Sequence, residues 1–195
     1  MIHNPIIRKA VAGDGIVVAH LLVQAMGDLA LFFTSNSAYN EQVRLFEMFF
    51  LQNDNQYSFE NTFVYEEAGK VLGSVNGYDG GRLKELRSSF FRYVEAEYYV
   101  QIPVCDDETE AGEFYIDCVS VLPEMQGKGI GKRLLTAMIE KGIEQGFKKV
   151  GLLVDCHNPD AKRLYTQIGF HKVGDKFFMN GKYEHLQFDC PTLQI

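Results

Sequence analysis

The chain of 195 residues is long enough to bury one sizeable core, and 46% hydrophobic with 23% charged residues fits an ordinary globular protein. Nineteen Lys and Arg against 26 Asp and Glu leave a net charge of −7, which argues against nucleic acid as a partner. Cys105, Cys118, Cys156 and Cys190 show neither C-x-x-C nor zinc spacing, so free thiols in a reducing cytoplasm are expected, with no metal.

The chain opens without a charged start followed by an apolar run, so no export signal is expected. Residues 6–11 read as a strand, and Gly13-Asp14-Gly15 as a turn and helix start. Helical segments follow at 15–31 and 39–51. The most membrane-like stretch, 16–33, carries His20, Gln24 and Asp28 four residues apart. That spacing makes one polar stripe, so a packed amphipathic helix is expected rather than a membrane span. Residues 61–66 and 70–78 read as a hairpin across Glu67-Ala68-Gly69, ended by Gly80-Gly81. The segment 82–100 is helical by period, with Leu83, Leu86, Phe90, Tyr93 or Val94, and Glu97 near one face. Pro103 closes it. Asp106, Asp107, Glu108, Glu110 and Glu113 then form an acidic run, whose plain reading is a solvated loop. A strand at 113–122, a helix at 128–145, a strand at 148–155, a helix at 159–168 and strands at 170–179 and 182–189 complete the chain.

The most informative stretch is Gln126-Gly127-Lys128-Gly129-Ile130-Gly131-Lys132, between a strand and a helix. Glycines at alternate positions bare backbone N–H groups where the helix dipole is positive, and the lysines add charge, so an anion such as a pyrophosphate fits. A P-loop requires glycine five positions before Gly131 and a hydroxyl after Lys132, where the chain has Gln126 and Arg133. The dinucleotide pattern G-x-G-x-x-G, begun at Gly127, requires a third glycine where Lys132 stands. Both readings fail.

The second motif runs from Asn158-Pro159-Asp160-Ala161 through Leu164-Tyr165 to Gly169-Phe170. Asn158 suits the N-cap, Pro159 the first helical position and Gly169 the C-terminal stop. Ala161, Leu164, Tyr165 and Ile168 share one face, so Tyr165 is expected to point at the sheet. The loop, of form Q/R-x-x-G-x-G/A, and the pattern N-x-x-A-x-x-L-Y-x-x-x-G-F about 30 residues later resemble those of the GNAT superfamily of acyl-CoA N-acetyltransferases. The runs 115–121 and 183–185 add a likeness to a small bacterial branch of unassigned acceptor.

The resemblance implies a mixed α/β (α+β) fold with a central, mostly antiparallel sheet of about seven strands flanked by helices. It implies one N-acetyltransferase domain over 1–195, with 82–112 as an insert that the family pattern does not explain. The implied reaction is direct attack of an amine, expected to be small and basic, on acetyl-CoA as cosubstrate in a ternary complex. Peptide or protein N-acetylation, and CoA binding without turnover, are the alternatives. By the same resemblance Val119, Val121, Gln126, Gly127, Lys128, Gly129, Gly131, Lys132, Asn158 and Lys162 hold the cofactor. Asn158 would meet the pantetheine arm, Tyr165 the thioester sulfur, and the strand edge at Val119 the oxyanion. The location implied is cytoplasmic, with no membrane or nucleic-acid partner and room for a homodimer.

Asp117 stands just before the loop, in register with Tyr115, Val119 and Val121 by strict alternation. It either hydrogen-bonds at a strand irregularity or binds the acceptor cation. An ordinary aspartate pKa of about 3.9 makes it a poor base, although a relay through water stays open. His185 reads as a hydrogen-bonded structural histidine rather than an acceptor contact. The acidic run has a sharper alternative: a lid at the acceptor entrance that selects a basic amine.

Overall fold

The computed structural model describes residues 4–179 and 181–191, and its seven strands form one sheet. β1 (Ile6–Lys9), β2 (Thr62–Glu67), β3 (Lys70–Asp79) and β4 (Phe114–Val121) pair antiparallel in sequence. β5 (Lys149–Asp155) lies parallel to β4, and β6 (His171–Phe178) and β7 (Gly181–Asp189) close the far side antiparallel. The spatial order is β1-β2-β3-β4-β5-β7-β6.

The helices follow the hydrophobic periods. The expected 15–31 helix divides into α1 (Gly15–Met26) and α2 (Asp28–Phe33) at Gly27, whose φ of 52° no helix accommodates. Gln24 of the α1 polar stripe is exposed at the end of β4, where it donates to Ser120 Oγ at 2.8 Å and to the Val121 carbonyl at 2.9 Å. No helix among the described residues is long and apolar enough to cross a membrane. α3 (Tyr39–Phe50) and α4 (Leu83–Tyr98) join α1 over one face of the sheet, while α5 (Ile130–Glu144) and α6 (Pro159–Ile168) cover the other.

The insert helix α4 is part of the core. Its Phe90 is fully buried and meets Phe33, Phe46, Phe49 and Tyr57 at ring-centroid distances of 4.8–5.8 Å. Burying such a ring is worth about 1.5–3 kcal/mol, so α4 contributes to folding.

Two irregularities of β4 shape the site. Asn76 pairs with Cys118 and Gly77 with Ile116, leaving Asp117 as the extra residue of a bulge. The bulge inverts the alternation. Phe114 and Ile116 face α5 before it, and Val119 and Val121 do so after it, whereas Tyr115 packs on the opposite side with Tyr78. The strict register expected for Asp117 therefore does not hold. The second irregularity is a parting of parallel strands: β4 pairs with β5 only at residues 114–116. Beyond Ile116 the two diverge, which leaves a cleft between 117–121 and 153–155.

Candidate active site

That cleft, of about 1380 Å³, is lined by the α1–α2 junction, the free end of β4, the glycine loop, the end of β5 and α6. At one end the loop enters α5 through Gly129, whose φ of 80° lies in the left-handed region. As the N-cap residue, Gly129 has no side chain with which to cap that helix. The first-turn N–H groups of α5, which helical geometry leaves without partners, are therefore free for an anion. Gly127, Gly129, Gly131 and Lys132 line the cleft here, with Val119, Val121 and Gln126. Gln126 has a local task as well, since its Nε2 donates to the Val121 carbonyl at 3.1 Å and ties the loop to β4.

Lys128 and Lys162 are not among the lining residues. Lys128 Nζ lies 3.3 Å from Met125 Sδ, and Lys162 pairs with Glu184. Arg163, one position along α6, lines the cleft instead. Asn158 caps α6 by accepting from the Ala161 N–H at 3.0 Å, which leaves its amide NH₂ unengaged by that cap. Tyr165 is 9% exposed, lines the cleft and packs edge-on to Phe170 at 6.0 Å. Burial pushes its hydroxyl up to about 12, with a smaller contribution from Cys118.

The other end is acidic. Asp117, partly buried, accepts from the Tyr78 hydroxyl at 2.8 Å and from Cys118 Sγ at 3.6 Å. Burial raises it to about 6, against the lowering effect of the Tyr78 bond. The expectation that Asp117 is an ordinary, weak base is corrected accordingly: desolvation makes it a stronger one.

The solvated-loop reading of the acidic run holds for the exposed Asp106 and Glu110 but fails for Glu108 and Glu113. Glu108 is 7% exposed and lines the cleft with Asp117, while Glu113 is 1% exposed. Burial, then the charge of Asp117, raises Glu108 to about 8. The loop is fastened throughout. Asp106 exchanges two hydrogen bonds with the backbone of Phe177, at 2.8 and 2.9 Å. Arg87 donates to Asp107 at 2.8 Å and to Glu108 at 3.4 Å. Thr109 Oγ1 donates to the Gly80 carbonyl at 2.6 Å. Glu113 accepts from the Glu110 N–H and from Gln187, both at 2.8 Å, and lies 3.0 Å from His185 Nε2. His185, 1% exposed, is thus a structural residue.

Sequence reasoning missed Gln56 and Arg163 as lining residues, and singled out Glu108 only as one of the acidic run read as a solvated loop or a lid. Glu108 alone had a signal, its place in the acidic run beside a helix.

A splayed pair of parallel strands with a glycine loop at its mouth forms a cleft with an anion-binding helix start at one end. Residues 26–170 match the model of the Acetyltransferase (GNAT) family, and the chain belongs to that family. A solved structure described as that of an acetyltransferase is 28% identical, covers 95% of this chain and all of its own, and superposes with a TM-score of 0.77. The mycothiol acetyltransferase of Paenarthrobacter aurescens is 46% identical over 59 residues, 30% of this chain and 18% of its own length. The [ribosomal protein bS18]-alanine N-acetyltransferase of Haemophilus ducreyi is 25% identical over 122 residues, 60% of this chain and 79% of its own. The chain thus spans less than a fifth of the length of the first of these relatives.

Proposed function

We propose that the chain is an acetyl-CoA-dependent N-acetyltransferase that acylates the primary amine of a small basic molecule by direct attack in a ternary complex. The two relatives carry names with different acceptors, so the acceptor is argued from the cleft itself. The observation that carries the reading is the cleft's polarity. Bare N–H groups with Lys132 stand at one end, where Arg163 is paired with Asp160, and the partly buried Asp117 and the buried Glu108 stand at the other.

In this reading the pyrophosphate rests on the first turn of α5, and Asn158 and Tyr165 flank the pantetheine arm and thioester. The ammonium first gives up one proton to become neutral; its nitrogen then bonds to the acetyl carbon, the C–S bond breaks, the nitrogen gives up a second proton and the thiolate takes one. Freeing an amine of pKa about 10.4 at pH 7 costs roughly 4.6 kcal/mol. Asp117 at about 6 accepts that proton with roughly 3 kcal/mol less opposition than an aspartate at 3.8. The unpaired edge of β4 near Val119 offers backbone donors to the oxyanion. Tyr165, at about 12, is a weaker acid than a thiol of about 8.5, and complete transfer to the sulfur is uphill by roughly 5 kcal/mol. Its contribution is a hydrogen bond that strengthens as charge grows on sulfur.

Thiol release from acetyl-CoA, followed across a panel of amines and of peptides with free N-termini, tests the reading. Turnover with small cationic amines is expected. Acetyl-CoA binding without CoA release on any substrate would show a binding protein, and turnover on peptides alone would move the acceptor to that class.

A further inference from the structure

The acceptor end of the cleft has more carboxylates than cations to match them. Asp107 takes both Lys84, at 3.0 Å, and Arg87, at 2.8 Å, and Glu108 shares Arg87 through a longer contact of 3.4 Å. Asp117 has only the uncharged Tyr78 and Cys118 as hydrogen-bond partners among the described residues. Of these groups only Glu108 and Asp117 line the cleft, and the one cation near Glu108, Arg87, is held more closely by Asp107 outside it. Beside them Gln56, 3% exposed, lines the same end, and its Oε1 is buried with no hydrogen-bond partner among the described residues. Glu108, Asp117 and the Gln56 carbonyl are all acceptors. The missing ligand is a donor with positive charge.

The reacting nitrogen cannot be that charge, because it must be neutral to attack. A carboxylate away from the thioester aids the reaction only by holding a different cation on the same molecule. Asp117 stands on β4 and lines the cleft together with Tyr165. Glu108 comes from the insert and sits beside Arg87 and Phe91 on the α4 side.

We propose that Glu108, with Gln56, holds a second, non-reacting ammonium of the acceptor, so that the preferred acceptor is a diamine. The inference rests on the amine-acetyltransferase reading and adds the residue that selects among amines. The insert is built for this, since the anchors at Asp106, Thr109 and Glu113 fix the backbone on both sides of Glu108 before any acceptor arrives. A position fixed in advance removes the ordering cost from binding. The raised affinity of Glu108 for a proton fits the same account, because a bound cation supplies the charge that Arg87 does not fully provide.

The test compares kcat/KM for 1,3-diaminopropane through 1,6-diaminohexane with that for monoamines of equal length. The wild-type protein should favour a diamine by about tenfold or more, the scale of a hydrogen-bonded charged contact. Glu108→Gln should reduce the diamine-to-monoamine ratio by about tenfold, acting through KM, with acetyl-CoA affinity reporting that the variant is folded. Should Glu108→Gln fail to fold, the wild-type ratio decides by itself. Equal use of diamines and monoamines by the wild type, or an unchanged ratio in a folded variant, overturns the inference and leaves the amine reading standing. No CoA release with any amine overturns both.

Discussion

The two ends of the cleft are built by opposite means. The end we assign to the cofactor comes from one contiguous loop and the helix it starts, whose backbone N–H groups lie at a left-handed glycine. The end we assign to the acceptor is assembled from side chains far apart in sequence, Gln56, Glu108 and Asp117, held by a bulge and by an anchored insert. One end uses local geometry, and the other uses burial of charge. A backbone site tolerates drift in most side chains around it, whereas a buried-charge site depends on each partner that its carboxylates keep or lack.

The sharpest division between the ends runs through Tyr165, the residue at their junction. Tyr165→Phe removes a hydroxyl that acts on neither pyrophosphate nor acceptor cation. Turnover should fall by about a hundredfold, at the lower end of general acid effects, with little change in acetyl-CoA affinity. Unchanged kcat, where pre-steady-state kinetics show chemistry to be limiting, would remove Tyr165 from the reaction.

At the cofactor end, two glycines of the loop should behave differently. Gly129→Ala forces a Cβ into a left-handed conformation at a cost of about 1–2 kcal/mol, and acetyl-CoA affinity should drop about tenfold. At Gly131 a Cβ would meet Leu164 at 3.7 Å and Val121 at 3.9 Å, ordinary contacts, so Gly131→Ala should leave affinity within about twofold. Calorimetric titration of acetyl-CoA reads both. Equal losses would mean that side-chain space, not backbone conformation, sets the loop.

The contrast also explains what the sequence disclosed. The glycine loop and the α6 motif were legible because each is written in consecutive residues with local geometric consequences: Gly129 sets the α5 start and Asn158 caps α6. The mostly antiparallel sheet of about seven strands followed from the same family resemblance, whereas its spatial order came only from the structure. Asp117 was legible as unusual, but its bulge was not, because the extra residue exists only relative to β3. Glu108 looked like part of a solvated run. Its burial depends on Arg87 one turn into α4, on Phe177 across the β6 edge and on Glu113 beneath β7, none of which periodicity connects to it. Lys162 shared a helix with Asn158, yet its partner Glu184 comes from another strand and draws it away.

The smallest expected effect is one of stability, and it belongs to the acceptor end alone. Asp117 and Glu108 are raised from 3.8 and 4.5 to about 6 and about 8, first by burial. Between those values the native state holds protons that the unfolded chain has released, so the pair's contribution to stability declines as pH rises from about 4 to about 8. Glu108→Gln removes the larger share of that decline. Without acetyl-CoA or amine, the melting temperature of the variant relative to wild type should therefore climb from pH 4 to pH 8, by about 2–4 °C for each kcal/mol relieved. The amide leaves Arg87 less well paired, which shifts the variant's curve at every pH alike, so the pH-dependent gap isolates the buried proton. Parallel curves would show that Glu108 is solvated after all. A gap that closes when a diamine is added would show the same charge serving the acceptor that it otherwise opposes in the empty fold.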